Sequence, residues 1–219
     1  MSHMMPVYNP APVTFERGQG AYLFDAHGRR YLDFAAGIAT SALGHGHPKL
    51  LQALHDQGNR LWHLSNVFAI PGQEQLASRL CAASFADRVF FGNSGAEAVE
   101  CGIKTVRKYF SHIGQPERYR IITCVNAFHG RTLADCAASG QGKMLDGFGP
   151  PMPGFDQVPF GDLAAVEAAI GPETAGILLE PIQGEGGIIV ASAEYLRGLR
   201  ALADRHGLLL VFDEIQFGM

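Results

Sequence analysis

The chain has 219 residues, 47% hydrophobic and 17% charged, enough apolar content for a sizeable globular core. Seventeen basic against 21 acidic residues give a net charge of −4, so no polybasic surface points to nucleic acid, and apolar runs such as residues 208–212 fall far short of a membrane span. Glycine occurs 27 times, above the usual ~7%, and without a collagen period this indicates tight turns and close backbone approaches to a ligand.

Met1-Ser2-His3-Met4 reads as a vector scar, with Met5 as the natural start, and no signal peptide follows. Residues 22–25 and 31–34, with polar residues and Gly28 between them, predict a hairpin. Pro48 suits the first turn of a helix running toward Arg60. Residues 66–72 are irregular and mark a domain transition, dividing the chain into an N-terminal segment (1–70) and a second domain (71–219). Beyond it helix and strand alternate: helix over 73–83, strand 89–91, helix 95–110, strand 121–125, helix 163–170, strand 177–179, helix 193–206 and strand 208–212. The strands are apolar runs without period-2 alternation, which predicts a mainly parallel sheet buried on both faces, an α/β architecture.

In open α/β sheets ligands bind beyond the carboxyl ends of the strands. Four polar or Gly-rich stretches follow the apolar runs: Gly92-Asn93-Ser94-Gly95-Ala96-Glu97, Asn126 to Thr132, Glu180 to Gly187, and Asp213-Glu214-Ile215-Gln216. Ser94, Gly95 and Ala96 open a helix, where backbone N–H groups and a hydroxyl suit a phosphate; a plain N-cap by Asn93 or Ser94 is the alternative. Asp213 ends an apolar run, and a buried carboxylate needs a cation or several hydrogen bonds. A protonated ring nitrogen of a cofactor is one such partner, and a structural or capping role the other reading. Phe128 beside Arg131 offers a flat face for a planar ring and a guanidinium for a carboxylate, or else a core Phe beside a surface Arg.

Gly44-His45-Gly46-His47 reads as a turn with polar packing rather than a metal site, because no carboxylate accompanies the two histidines. Gly140-Gln141-Gly142-Lys143 lacks the spacing and preceding strand of a nucleotide phosphate loop, and no dinucleotide fingerprint opens a helix. The cysteines (Cys81, Cys101, Cys124, Cys136) form no C-x-x-C pair and read as buried free thiols in a reducing cytoplasm.

Asn93-Ser-Gly-Ala-Glu-Ala98, Ala127-Phe-His-Gly-Arg-Thr132, Glu180-Pro-Ile-Gln-Gly-Glu-Gly-Gly187 and Phe212-Asp-Glu-Ile-Gln216 occur in this order. Together they resemble the class III pyridoxal-phosphate-dependent aminotransferases of fold type I, over essentially the whole chain from about Tyr8. The resemblance implies a mainly parallel sheet flanked by helices, an N-terminal small-domain segment and an incomplete large domain. It implies that Ser94, Gly95 and Ala96 hold the cofactor phosphate, that Phe128 and Ile215 pack on opposite faces of the ring, and that Asp213 pairs with the ring nitrogen. Gln216 would lie near the ring hydroxyl. Arg131 would clamp the substrate carboxylate, and Glu185 would pair with an arginine from the C-terminal part of the protein.

Within the class the resemblance is closest to members acting on N-acetylornithine with 2-oxoglutarate, in arginine biosynthesis. Ile38 stands where ornithine δ-aminotransferases place a Tyr. Succinylornithine, 4-aminobutyrate and free ornithine are the alternative donors, and a non-catalytic cofactor-binding or interaction remnant is the reading from another class. An α/β nucleotide-binding protein is disfavoured by the missing fingerprints. The family's Schiff-base lysine lies further along than Asp213, and Lys49, Lys104, Lys108 and Lys143 all precede it. The 219 residues are therefore expected to be inactive alone, and the full-length protein to be a cytoplasmic homodimer acting on amino and keto acids without metal, nucleic acid or membrane.

Overall fold

A computed structural model describes residues 3–217, which fall into two compact units divided between Val89 and Phe90. The helix over residues 71–83 thus belongs with the first unit, whereas the sequence places the transition ahead of it.

The first unit contains an antiparallel meander of β1 (Phe15–Gln19), β2 (Tyr22–Asp25) and β3 (Arg30–Leu32). Asp25 secures the hairpin by accepting hydrogen bonds from the N–H groups of His27 and Arg29 (2.9 Å each), Arg29 Nε (2.7 Å) and the Tyr31 hydroxyl (3.1 Å). Burial raises its pKa, but these donors outweigh burial and hold it at about 2. Next come α1 (Ala36–Ala39), a turn with positive φ from Ala36 through Ala39, then α2 (Pro48–Gly58) and α3 (Pro71–Ala83). Proline opens both longer helices, where its missing N–H removes no intrahelical bond. His45 serves packing: its backbone pairs with Gly20 and its Nε2 lies 2.7 Å from Asp33 Oδ2. A Cβ on Gly18 would come within 2.5 Å of the His45 ring, so glycine is required there.

In the second unit α4 (Gly95–His112) precedes β4 (Arg120–Cys124), α5 (Leu133–Ser139) and α6 (Gly142–Leu145). There follow β5 (Phe155–Val158), α7 (Leu163–Ala169), β6 (Thr174–Leu179), the short antiparallel pair β7 (Ile182–Gln183) and β8 (Ile189–Val190), α8 (Ala193–His206) and β9 (Leu209–Phe212). Four strands form a parallel sheet in the order β5-β4-β6-β9. All six residues of β6 are buried, as expected for an apolar strand covered on both faces. Ile122, Cys124, Ile177 and Leu179 pack with Val166, Tyr195, Leu199 and Leu202 from α7 and α8. Ile121, Ala175 and Leu178 pack with Val99, Ile103, Val106 and Phe110 of α4 and with Ala134 and Ala138 of α5. Side-chain alternation from Gly176 onward, with Ala175 displaced to the second core at the irregularity where β4 pairs with Thr174 and then Gly176, divides one apolar strand between two cores and makes a helix–sheet–helix sandwich.

The strand expected at residues 89–91 does not form. Among the described residues no strand pairs with this segment, and Phe90 is 71% exposed. An apolar run becomes a strand only where a neighbour accepts its backbone hydrogen bonds. Three elements of the site region escaped the periodicity reading: α5, α6 and β5 each have seven residues or fewer. Of the cysteines, Cys124 and Cys136 are buried, whereas Cys81 and Cys101 are only half-buried.

Candidate active site

The carboxyl ends of β4, β6 and β9 and the start of α4 carry the chemistry-bearing residues, all within the second unit. Ser94 is the N-cap of α4: its Oγ accepts from Glu97 N–H at 3.2 Å. The plain capping reading is therefore realised, yet the Ser94 hydroxyl keeps its own proton to donate. The N–H groups of Gly95 and Ala96, in the first helical turn, have no intrahelical acceptor. Glu97 folds back so that its carboxylate takes the Asn93 N–H. A Cβ on Gly95 would lie 2.9 Å from Ile215 Cγ2, which seats Ile215 against the start of α4.

After β4 the chain turns through Asn126, with φ 61°, and Gly130, with φ 129°. A side chain on Gly130 would collide with the Asp135 carboxylate and with Ala96, so this loop runs tight against α4. Phe128 is half-buried, and its N–H donates to Glu180 Oε2 at 3.0 Å. Arg131 is exposed, with its guanidinium carbon 5.4 Å from the Phe128 ring centroid. Phe128, Arg131 and Glu185 line one cavity of about 430 Å³, together with Gln141 and Lys143. The sequence thus named three residues that the fold brings to one hollow.

Asp213 closes β9, and its N–H extends the ladder to Leu179 O at 2.9 Å. Its carboxylate is buried: Oδ1 accepts from Ile215 N–H at 3.1 Å, and Oδ2 lies 2.7 Å from His129 Nδ1. Gln216 lies against the Gly184 loop, where a Cβ would come 2.1 Å from Gln216 Oε1. Ile38 lies in the first unit, exposed and at φ 59°, a left-handed conformation rare for a β-branched residue.

Sequence reading overlooked His129 and Glu180 as parts of this cluster, though both stand inside the quoted motifs. Burial pushes the Glu180 carboxyl above the usual carboxylate range, and the Phe128 N–H only partly offsets it. Nearby, burial also raises Asp135, and it raises the Cys124 thiol to about 11, leaving that sulfur protonated and unreactive at neutral pH.

The parallel sheet, with the start of α4, the loop carrying Phe128 and Arg131 and the buried Asp213 carboxylate gathered at its strand ends, has the architecture of an α/β enzyme. The aminotransferase class-III family model matches residues 4–219, and the chain belongs to that family, whose members use pyridoxal 5′-phosphate. Acetylornithine aminotransferase from Agrobacterium fabrum is 60% identical over 209 residues, covering 95% of this chain and 52% of that protein. N-acetylornithine aminotransferase from Stenotrophomonas maltophilia superposes with a TM-score of 0.79 at 43% identity, covering 94% of this chain and 52% of the other. Ornithine aminotransferase from Toxoplasma gondii superposes with a TM-score of 0.93 at 34% identity, covering 99% and 52% respectively. The chain therefore spans about half the length of the relatives it matches. No helix among the described residues is long and apolar enough to cross a membrane.

Proposed function

We propose that the full-length protein transfers the amino group of N-acetylornithine to 2-oxoglutarate, with pyridoxal 5′-phosphate held at the strand-end cluster of the second unit. The observation that carries the reading is the buried Asp213 carboxylate, placed at a strand end beside the start of α4 through its neighbour Ile215. The residues fit the cofactor. Helix-start N–H groups suit its phosphate, a half-buried phenyl suits its ring, and a buried carboxylate suits a protonated ring nitrogen. When bound, the cofactor supplies an electron sink for the reacting carbon.

The N–H groups of Gly95 and Ala96 and the Ser94 hydroxyl would hold the phosphate. Phe128 and Ile215 would pack against the ring. Asp213 would favour a protonated ring nitrogen, and Gln216 would bond near the ring hydroxyl. Arg131 binds the carboxylate of donor and acceptor in turn, a role its planar fork suits. Glu185 lines the same cavity, where it would meet an arginine from a later part of the protein. The acetylornithine assignment is supported by the names of relatives near 60% identity and by Ile38, which stands in place of the Tyr of ornithine δ-aminotransferases. The protein is expected to act as a homodimer.

Glutamate formation by the full-length protein, measured with four amino donors, tests the reading. We expect the highest kcat/KM with N-acetylornithine, above N-succinylornithine, ornithine and 4-aminobutyrate. A preference for free ornithine or 4-aminobutyrate would overturn it. Arg131→Ala is expected to raise KM for both donor and keto acid by about tenfold or more, the scale of a lost charge-assisted pair.

A further inference from the structure

We infer that Glu100 on α4 is a positioning residue that aims Arg131 at the substrate carboxylate by holding Thr132, an inference that rests on the clamp role of Arg131 proposed above. Among the described residues the Arg131 guanidinium makes no hydrogen bond or ion pair, and its one ring contact is with Phe128. Such freedom suits a group that takes and releases two different carboxylates, since a fixed partner would compete with both. Its placement has to come from the backbone on either side.

Both neighbours of Arg131 are seated on α4. A Cβ on Gly130 would lie 3.0 Å from Ala96 Cβ, and the Thr132 hydroxyl donates to Glu100 Oε1 at 2.7 Å. Ala96 and Glu100 are four residues apart and share one face of the helix. Gly130 and Thr132 lie along that face, while Arg131 between them is exposed and lines the cavity shared with Glu185. Ala96 belongs to the first turn of α4, which the cofactor reading gives to the phosphate. One helix thus carries both the phosphate site and the anchor of the carboxylate clamp.

The capping box of α5 does not account for Glu100. That box needs only Thr132 and Asp135, each side chain accepting from the other's N–H at 3.1 and 3.2 Å. The Thr132 hydroxyl accepts within the box and keeps one proton to give, which Glu100 takes. This second carboxylate stands close to a buried one: burial raises the Asp135 pKa, and the Glu100 charge adds to the rise. Capping leaves so unfavourable a neighbour unexplained, whereas a clamp that must be aimed explains it.

Steady-state kinetics of the full-length holoenzyme, together with its pyridoxal phosphate affinity, separate this role from a structural one. Glu100→Leu is expected to raise KM for both N-acetylornithine and 2-oxoglutarate about fivefold or more, the scale of a displaced binding group, with kcat and cofactor affinity within about twofold. Glu100→Gln, whose amide oxygen still accepts the Thr132 hydroxyl, is expected to keep both KM values near wild type. Unchanged KM values in Glu100→Leu, a matching loss of cofactor affinity, or no rescue by Glu100→Gln would overturn the inference. Arg131→Ala is the control: if it moves neither KM, the clamp reading itself fails and the inference falls with it. Should Glu100→Leu fail to fold, Glu100→Asp decides, because it keeps the charge and shortens the reach to Thr132. Raised KM values in that variant support the role, and wild-type values contradict it.

Discussion

Glu180 at the end of β6 carries a buried carboxyl whose acceptor oxygen fastens the Phe128 N–H. Burial raises its folded pKa above the ordinary 4.5, so the folded state favours the protonated form. Stability therefore falls as pH rises from about 4.5 through that higher value, and is flat beyond it. Glu180→Gln keeps an acceptor for Phe128 and removes the charge, so urea unfolding across this range is expected to lose that part of its pH slope. An unchanged slope would contradict the assignment. Glu180→Ala leaves the Phe128 N–H without its acceptor and is expected to cost about 1–3 kcal/mol. At this scale Asp213 was legible, because a carboxylate that ends five apolar residues demands an explanation. His129 was not, because its meaning lies in a bond to a residue 84 positions away. Ser94 carried two meanings at once, and capping is the one its oxygen fulfils.

The helices and strands follow from local chemistry wherever the element is long. α4 and α8 begin at serine caps, and α8 ends at Gly207 in the left-handed conformation that releases the chain into β9. α5 is short and lies between Arg131 and the Gly140 turn, so periodicity could not reveal it. Its signal is the capping box: Thr132 Oγ1 accepts from Asp135 N–H at 3.1 Å, and the Asp135 carboxylate accepts from Thr132 N–H at 3.2 Å. The Thr132 hydroxyl also donates to Glu100 Oε1 at 2.7 Å, tying the cap to α4. Thr132→Ala is expected to cost about 1–2 kcal/mol in chemical denaturation, with Thr132→Ser recovering most of it. Equal losses in both variants would show that the methyl packing, not the cap, matters. The segment 89–91 failed for the converse reason. Its composition suits a strand, but strand formation is a property of pairs, and no described strand lies beside it.

Across the second unit, the parallel sheet collects distant motifs at the carboxyl ends of its strands. Residues 94–96, 126–131, 180–185 and 213–216 come together because β4, β6 and β9 run in one direction and end on one side. That convergence was readable from apolar runs followed by polar stops. The sequence places a transition at residues 66–72, where the loop before α3 looks like a linker, and the compact units of the structure divide after α3, between Val89 and Phe90. Lysine placement gives a test at this scale. Lys49 lies on α2 and Lys104 and Lys108 on α4, whereas Lys143 lines the cavity shared by Phe128 and Arg131. Borohydride treatment of the 219 residues with pyridoxal phosphate is expected to leave all four lysines unmodified in peptide mass spectra. A reduced adduct on Lys143 would overturn that expectation. The most direct measurement of the central claim is a crystal structure of the protein soaked with pyridoxal 5′-phosphate. The account predicts phosphate density on the N–H groups of Gly95 and Ala96, the ring stacked on Phe128, and the ring nitrogen within hydrogen-bond distance of Asp213. Cofactor density anywhere else, or a ring nitrogen turned away from Asp213, would contradict it.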